Sequence, residues 1–285
     1  MLQLGKTNTL TILRHTSVGA YLGDNENSEV LLPLKYVKGD MNVGENVDVF
    51  IYKDSEDRII ATTLKPHAEV EEFAFLKAVS VSKIGAFLDW GLEKDILVPF
   101  KEQRHKMFEG FEYVVYLYLD EVSQRIVATS KLNKFFETET IALEQGQEVD
   151  LLVYDESSLG FSCVINNAYK GLIYANDIYQ DIHIGDFLKG YVQLIRPDKL
   201  VDISLQPVGF KKVLSSTDII LNYLVDHEGV LDLTDKSSPE EIEKRFNMSK
   251  ATFKKSIGVL YRQRKVLLKD DGVYLVKQKP QGEPE

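Results

Sequence analysis

One cysteine, one tryptophan and eight prolines in 285 residues make this a chain defined first by what it lacks. A lone Cys163 cannot close an internal disulfide, so packing must hold the fold, in keeping with a reducing compartment. That cysteine lies in an apolar strand-like run, where it acts as a small hydrophobe rather than a reactive thiol. No apolar run reaches membrane-spanning length, and Met1–Leu13 carries no charged-plus-apolar leader. A cytoplasmic protein with no membrane partner is expected. The five histidines, at 15, 67, 105, 183 and 227, are scattered without H-x-H, H-E-x-x-H or a cysteine partner, so neither metal nor other cofactor is expected. Phosphate-loop, nucleophile-elbow and dinucleotide-binding signatures are missing as well. The clustered acids Asp54/Glu56/Asp57, Asp120/Glu121 and Asp270/Asp271 fall in predicted turns, where carboxylates favour solvent and local backbone bonds. No catalytic constellation is left, and a binding protein rather than an enzyme is expected.

Positive charge is also in short supply, for the formal net charge is −10. From Gly209 to Glu285, however, 14 Lys/Arg stand against 12 Asp/Glu, leaving 20 against 32 in the rest. A nucleic-acid surface in the first three-quarters must therefore be a local patch, because bulk charge repels phosphates.

What is present is repetition. The stretch Lys83–Leu132 holds KIGAFLDWG, ILVPF and VVYLYLDEVSQRIVATSKL, short alternating apolar runs separated by turns, a pattern of small β-barrels. Gly85 suits a strand bending at a barrel corner. An earlier copy carries VGAYL, VLLPL and VDVFIYKDSEDRIIATTLKP, with Gly19 66 residues before Gly85 and Arg58 67 before Arg125. Two landmarks at nearly one interval mark an internal duplication. A third, divergent copy has VDLLVYDESSLGFSCVIN, KGLIYANDI and GDFLKGYVQLIRPDKLVDISLQP, without an aromatic two residues after Gly160.

Gly85, Ala86, Phe87, Leu88, Ile96–Val98 and Arg125–Ser130 resemble the S1 RNA-binding domain, a five-stranded OB-fold barrel, with Pro99 where that family often has histidine. After Pro207 the apolar period changes from two to 3.6. Ser216–Gly229 reads as a helix with Ile219, Ile220, Tyr223 and Leu224 on one face. Ser238-Pro239-Glu240-Glu241 reads as a capped helix start, and Ser249 opens a third helix with the stripe Phe253, Ile257, Leu260 and Tyr261. Val266–Val276 is a hairpin turning at Asp271-Gly272, and the series resembles a winged helix-turn-helix. The expected fold class is mainly β multidomain. Three S1-like OB-fold barrels in tandem, over 1–66, 67–136 and 145–208, precede an α+β winged-helix domain over 209–279. Residues 67–72 and 133–145 are linkers or helical turns, and the tail Gln278–Glu285 is expected to be unstructured.

On OB-fold barrels, aromatics stack bases and nearby cations hold phosphates. Such positions are Phe87, Trp90 and Phe100 in the central copy, with Lys83, Lys101, Arg104, His105 and Lys106 around them. The first copy supplies Tyr21 and Lys35, and the third Tyr174 and Phe161. Each competes with a bland reading, since aromatics in small barrels are usually core and alternation does not say which side faces out. Lys250, Lys254, Lys255, Arg262, Arg264 and Lys265 make the third helix basic, as phosphate contact requires, whereas Glu240, Glu241 and Glu243 on the preceding helix oppose it.

Three S1-like barrels before a winged helix resemble the bacterial conserved virulence factor B family. That resemblance implies a cytoplasmic RNA-binding regulator acting on gene expression after transcription, without catalytic residues. Single-stranded RNA is the expected partner. The alternatives are a DNA-binding transcription regulator led by the winged helix, and a scaffold on ribosome or RNA polymerase components.

Overall fold

In a computed structural model, residues 2–24, 28–39, 41–178, 180–207 and 211–276 are described. The expected tail, Gln278–Glu285, lies outside them. The chain divides into two compact units, Met1–Leu205 and Gln206–Glu285.

The first unit holds three closed five-stranded barrels. The first is built from β1 (Thr7–Thr16), β2 (Gly19–Gly23), β3 (Glu29–Pro33), β4 (Asn46–Lys53) and β5 (Ile59–Thr62). The second uses β6 (Phe73–Val81), β7 (Gly85–Asp89), β8 (Ile96–Pro99), β9 (Glu112–Leu119) and β10 (Ile126–Thr129). The third uses β11 (Glu148–Ser157), β12 (Gly160–Ile165), β13 (Tyr169–Tyr174), β14 (Phe187–Ile195) and β15 (Val201–Ser204). Alternating residues fill each interior, such as Ala86, Leu88, Ile96, Val98, Leu117 and Ala128 in the second. Each first strand has a register shift at one equivalent place, between Ile12 and Arg14, Ala78 and Ser80, and Val153 and Asp155. A bulge there lets a long strand bend around the barrel.

The repeated glycine has a steric cause. A Cβ on Gly19, Gly85 or Gly160 would collide with the carbonyl oxygen of Leu32, Val98 or Ile173 on the neighbouring strand. The turn before it also repeats: the hydroxyls of Thr16, Ser82 and Ser157 donate to the carbonyls of Gly19, Gly85 and Gly160.

The barrels are not beads on loose linkers. Phe50, Tyr52 and Ile60 of the first barrel share one apolar cluster with Trp90, Leu92 and Met107 of the second. Glu93 pairs with Lys35, Asp57 pairs with Arg125, and Lys94 Nζ donates to the Asp54 carbonyl at 2.6 Å. The segment 67–72 is held down, with Val70 N–H donating to the Gly5 carbonyl at 2.9 Å. At the next junction a 3-10 turn, Leu132–Phe135, and Phe136 enter a cluster with Phe73, Val114, Leu152 and Val164. Phe135 stacks on Tyr116 at 4.0 Å, and Phe73 N–H donates to Asn167 Oδ1 at 2.7 Å.

The second unit is a winged helix: α1 (Lys211–Asp226), β16 (Val230–Leu231), α2 (Pro239–Phe246), α3 (Lys250–Arg262), β17 (Val266–Lys269) and β18 (Gly272–Leu275). Its sheet order is β16-β18-β17. Ser238 and Glu241 form a reciprocal capping box with Pro239 in the first turn. Two expected stripes are corrected. Ile219 is exposed while Ser216, Thr217, Ile220 and Leu224 are buried, and Tyr261 is exposed while Ser256 lies inside with Phe253, Ile257 and Leu260. The hairpin turns at Asp270-Asp271, one residue earlier than expected, because Gly272 already pairs with Lys269.

Candidate nucleic-acid interface

Register settles which side chains share the outer side of each barrel. In the second barrel Phe87 pairs with Leu97, Leu97 with Val127, and Val127 with Tyr118. Paired residues point to one side, and their neighbours Ala86, Leu88, Val98, Ala128 and Leu117 fill the interior. The row Phe87–Leu97–Val127–Tyr118 is therefore on the outer side, with Val127 covered and Phe87, Leu97 and Tyr118 half-buried. A groove of about 180 Å³ runs beside it, floored by Ile84, Phe87, Leu97 and Ile126 and walled by Tyr52, Lys53, Lys94 and Arg125. Partial burial lowers the Lys94 pKa, with Arg125 and Lys53 adding repulsion against the pull of Asp57 and Asp54. Burial raises the Tyr118 hydroxyl to about 12, helped by Glu102 and Asp120, so it stays a neutral donor.

The equivalent rows differ. In the first barrel the row is Tyr21–Leu31–Ile60–Tyr52. Ile60 and Tyr52 are buried in the cluster shared with the second barrel, and the Arg14 guanidinium lies 4.2 Å over Tyr21 while pairing with Glu29 at 2.8 Å. In the third barrel the row is Ser162–Leu172–Asp202–Leu194. It has no aromatic, and Asp202 pairs with Arg196 at 2.7 Å. Of the three rows, only the central one carries, among the described residues, an aromatic without a cation over its ring or another barrel across it, Phe87, while Tyr118 at its far end has Lys134 5.5 Å over its ring.

The site residues expected from sequence separate accordingly. Phe87 stands in the open row. Phe100 is exposed and its N–H donates to the Ile84 carbonyl at 3.2 Å, so it adjoins the hairpin turn bearing exposed Lys83 and Ile84. Trp90 is corrected: only 3% exposed, it lies edge-on to Phe50 at 5.6 Å and donates Nε1–H to the Lys94 carbonyl at 2.6 Å. It holds two barrels together and has no face for a base. Lys35 is engaged with Glu93 and lies 5.0 Å over the Tyr36 ring. Tyr174 accepts a hydrogen bond from Arg196, and Phe161 is half-buried. Lys106 lies 5.5 Å over the exposed Phe108 ring, and Arg104 pairs with Asp155 at 2.8 Å. Lys101 and His105 are exposed. On the winged helix, Lys255, Arg262, Arg264 and Lys265 are exposed, Lys254 pairs with Asp235 at 3.2 Å, and Lys250 reaches the Lys236 carbonyl at 3.5 Å.

Sequence reasoning passed over Ile84, Leu97, Tyr118, Lys131 and Lys134. Lys134 Nζ lies 5.5 Å from the Tyr118 ring, and it lines a cleft of about 330 Å³ with Arg104, Ser130, Lys131, Asn133 and Tyr154. The sequence signal was the S-K-L-N-K run directly after the last strand of the central copy.

Residues 4–64 match the family profile of the S1 domain, and residues 218–275 match the CvfB-like winged helix domain. The profile thus falls on the first barrel, although the S1 resemblance in sequence is clearest in the second. The chain is similar to YitL of Bacillus subtilis, 28% identical over 95% of this chain and 93% of that one. It is also similar to conserved virulence factor B of Staphylococcus epidermidis, 25% identical over 84% of this chain and 82% of the other. A solved multidomain protein with nucleic acid binding domains from Streptococcus pneumoniae covers 96% of this chain and 98% of its own at 24% identity, with a TM-score of 0.42. No described helix is long and apolar enough to cross a membrane. With an S1 domain match at the start, a CvfB-like winged helix match at the end and alignment over most of its length with the Bacillus and Staphylococcus proteins, the chain is similar to the conserved virulence factor B proteins.

Proposed function

We propose that this protein binds single-stranded RNA in the cytoplasm, influences gene expression after transcription, and performs no catalysis itself. The open row Phe87–Leu97–Val127–Tyr118 carries this reading. Aromatic faces on an outward barrel side stack unpaired bases without demanding a sequence, and each stacked base contributes roughly 1–3 kcal/mol. A duplex keeps its bases stacked internally and cannot use such a row. The basic surface of α3 adds phosphate contacts, and linkage to the barrels raises overall affinity through effective concentration. An acidic remainder limits non-specific association, so recognition leans on stacking more than on charge.

Equilibrium binding to matched single-stranded RNA, single-stranded DNA and duplex DNA over a salt series tests the reading. Preference for single-stranded RNA with a shallow salt slope is expected. Duplex preference with a steep slope, lost on Lys255→Ala with Arg262→Ala, would instead move the function to the winged helix. No binding at moderate salt, with co-purification of ribosome or polymerase components that survives nuclease, would favour the scaffold.

A further inference from the structure

The cleft at the junction of the second and third barrels lies off the stacking row, yet one side chain belongs to both. Lys134 sits 5.5 Å from the Tyr118 ring at the end of the row and lines the cleft with Arg104 and Lys131. The lining holds three cations, the Ser130 and Tyr154 hydroxyls and the Asn133 amide, with no carboxylate among them. In a chain of net charge −10, this is a local reversal of sign. Local structure fixes the donors. Arg104 N–H donates to Ser130 Oγ at 2.8 Å, Lys131 Nζ reaches the Lys101 carbonyl at 2.5 Å, and the 3-10 turn carrying Lys134 is pinned by Phe135 stacking on Tyr116. Arg104 and Lys134 also pair with Asp155 at 2.8 Å and Glu102 at 3.4 Å, but both cations keep about half of their side-chain surface open, which leaves donors for a phosphate.

We propose that this inter-barrel cleft holds the phosphodiester backbone of the RNA strand as it leaves the row past Tyr118. The inference rests on the single-stranded RNA reading above and adds a second contact zone, built from two barrels rather than one. Bases stack on Phe87 and Tyr118, while the following phosphates enter the cleft at Lys134, Lys131 and Arg104. Affinity for a strand long enough to pass Tyr118 then depends on the cleft, and affinity for a short one does not.

The test compares wild type, Lys131→Ala/Lys134→Ala, Lys131→Arg/Lys134→Arg and Phe87→Ala against oligouridines of increasing length over a salt series. Thermal melting confirms that each variant folds. For long oligonucleotides the alanine pair is expected to lower affinity by roughly tenfold and to reduce the salt slope by about 1.4, at ~0.7 for each lost phosphate contact on a single strand. Short oligonucleotides should bind the pair as they bind wild type, and the arginine pair should keep the full slope. An alanine pair with wild-type affinity and slope at every length, beside a Phe87→Ala variant that has lost binding, would overturn the cleft and leave the RNA reading intact. Wild type that binds no oligouridine overturns both. Inorganic phosphate that binds as tightly as the long oligonucleotide would overturn the strand assignment in favour of a free-phosphate site.

Discussion

Phe87 and Trp90 lie three positions apart in one short run, and register alone gives them opposite roles. Phe87 pairs with Leu97 on the outer side of the second barrel, whereas Trp90 falls past the end of β7 and turns into the junction with the first barrel. Phe87→Ala is expected to weaken single-stranded RNA binding by roughly 5- to 150-fold, the equivalent of ~1–3 kcal/mol of stacking, with little change in melting temperature. Trp90→Ala should do the reverse. Removing a fully packed aromatic costs about 3–5 kcal/mol, and the Lys94 carbonyl also loses its donor. Chemical denaturation reads that loss, while RNA affinity per folded molecule stays near wild type.

Elements repeat more faithfully than the residues on them. The hairpin that opens each barrel is dictated by a glycine under which the neighbouring backbone passes, and this spacing is visible in the sequence at 66 residues between Gly19 and Gly85. Gly85→Ala should therefore destabilise the second barrel, seen as a lower denaturation midpoint, because the added methyl meets the Val98 carbonyl rather than a yielding side chain. Local signals of this type made the three barrels, the capped α2 and the wing legible. Ser238→Ala should cost about 1 kcal/mol in the second unit by removing the acceptor for Glu241 N–H. The outer row of the second barrel was only half legible. Phe87 announces itself beside its glycine, but Tyr118 joins the row through a parallel pairing of β8 with β10, a long-range contact that no local spacing encodes. Alternation also cannot tell an outer side open to solvent from one covered by another barrel. For that reason Tyr21 and Phe87 look equivalent in sequence, yet their rows end in Tyr52, buried, and Tyr118, half-exposed.

At the scale of the first unit, the join between barrels one and two combines an apolar cluster with ion pairs at its rim. Hydrogen bonds from Arg125 and Lys35 hold the Asp57 and Glu93 carboxyls below their ordinary pKa. A depressed carboxyl stabilises the fold above its unfolded pKa, and that contribution is lost as pH falls through the folded value. The difference in denaturation midpoint between wild type and Asp57→Asn should thus be open at neutral pH and close below about pH 4, the ordinary carboxylate range. The apolar part makes a stronger demand. Phe50, Tyr52 and Ile60 have no other core to join, because their strands turn Ile51 and Ala61 inward to the first barrel's own cluster. Two barrels that share a cluster should open together. Hydrogen exchange of Trp90→Ala should then accelerate β4 amides in the first barrel as much as β7 amides in the second. Acceleration confined to β7 would mean that the barrels fold independently, and the cover over Tyr52 would then be too weak to keep the first barrel's row closed to RNA.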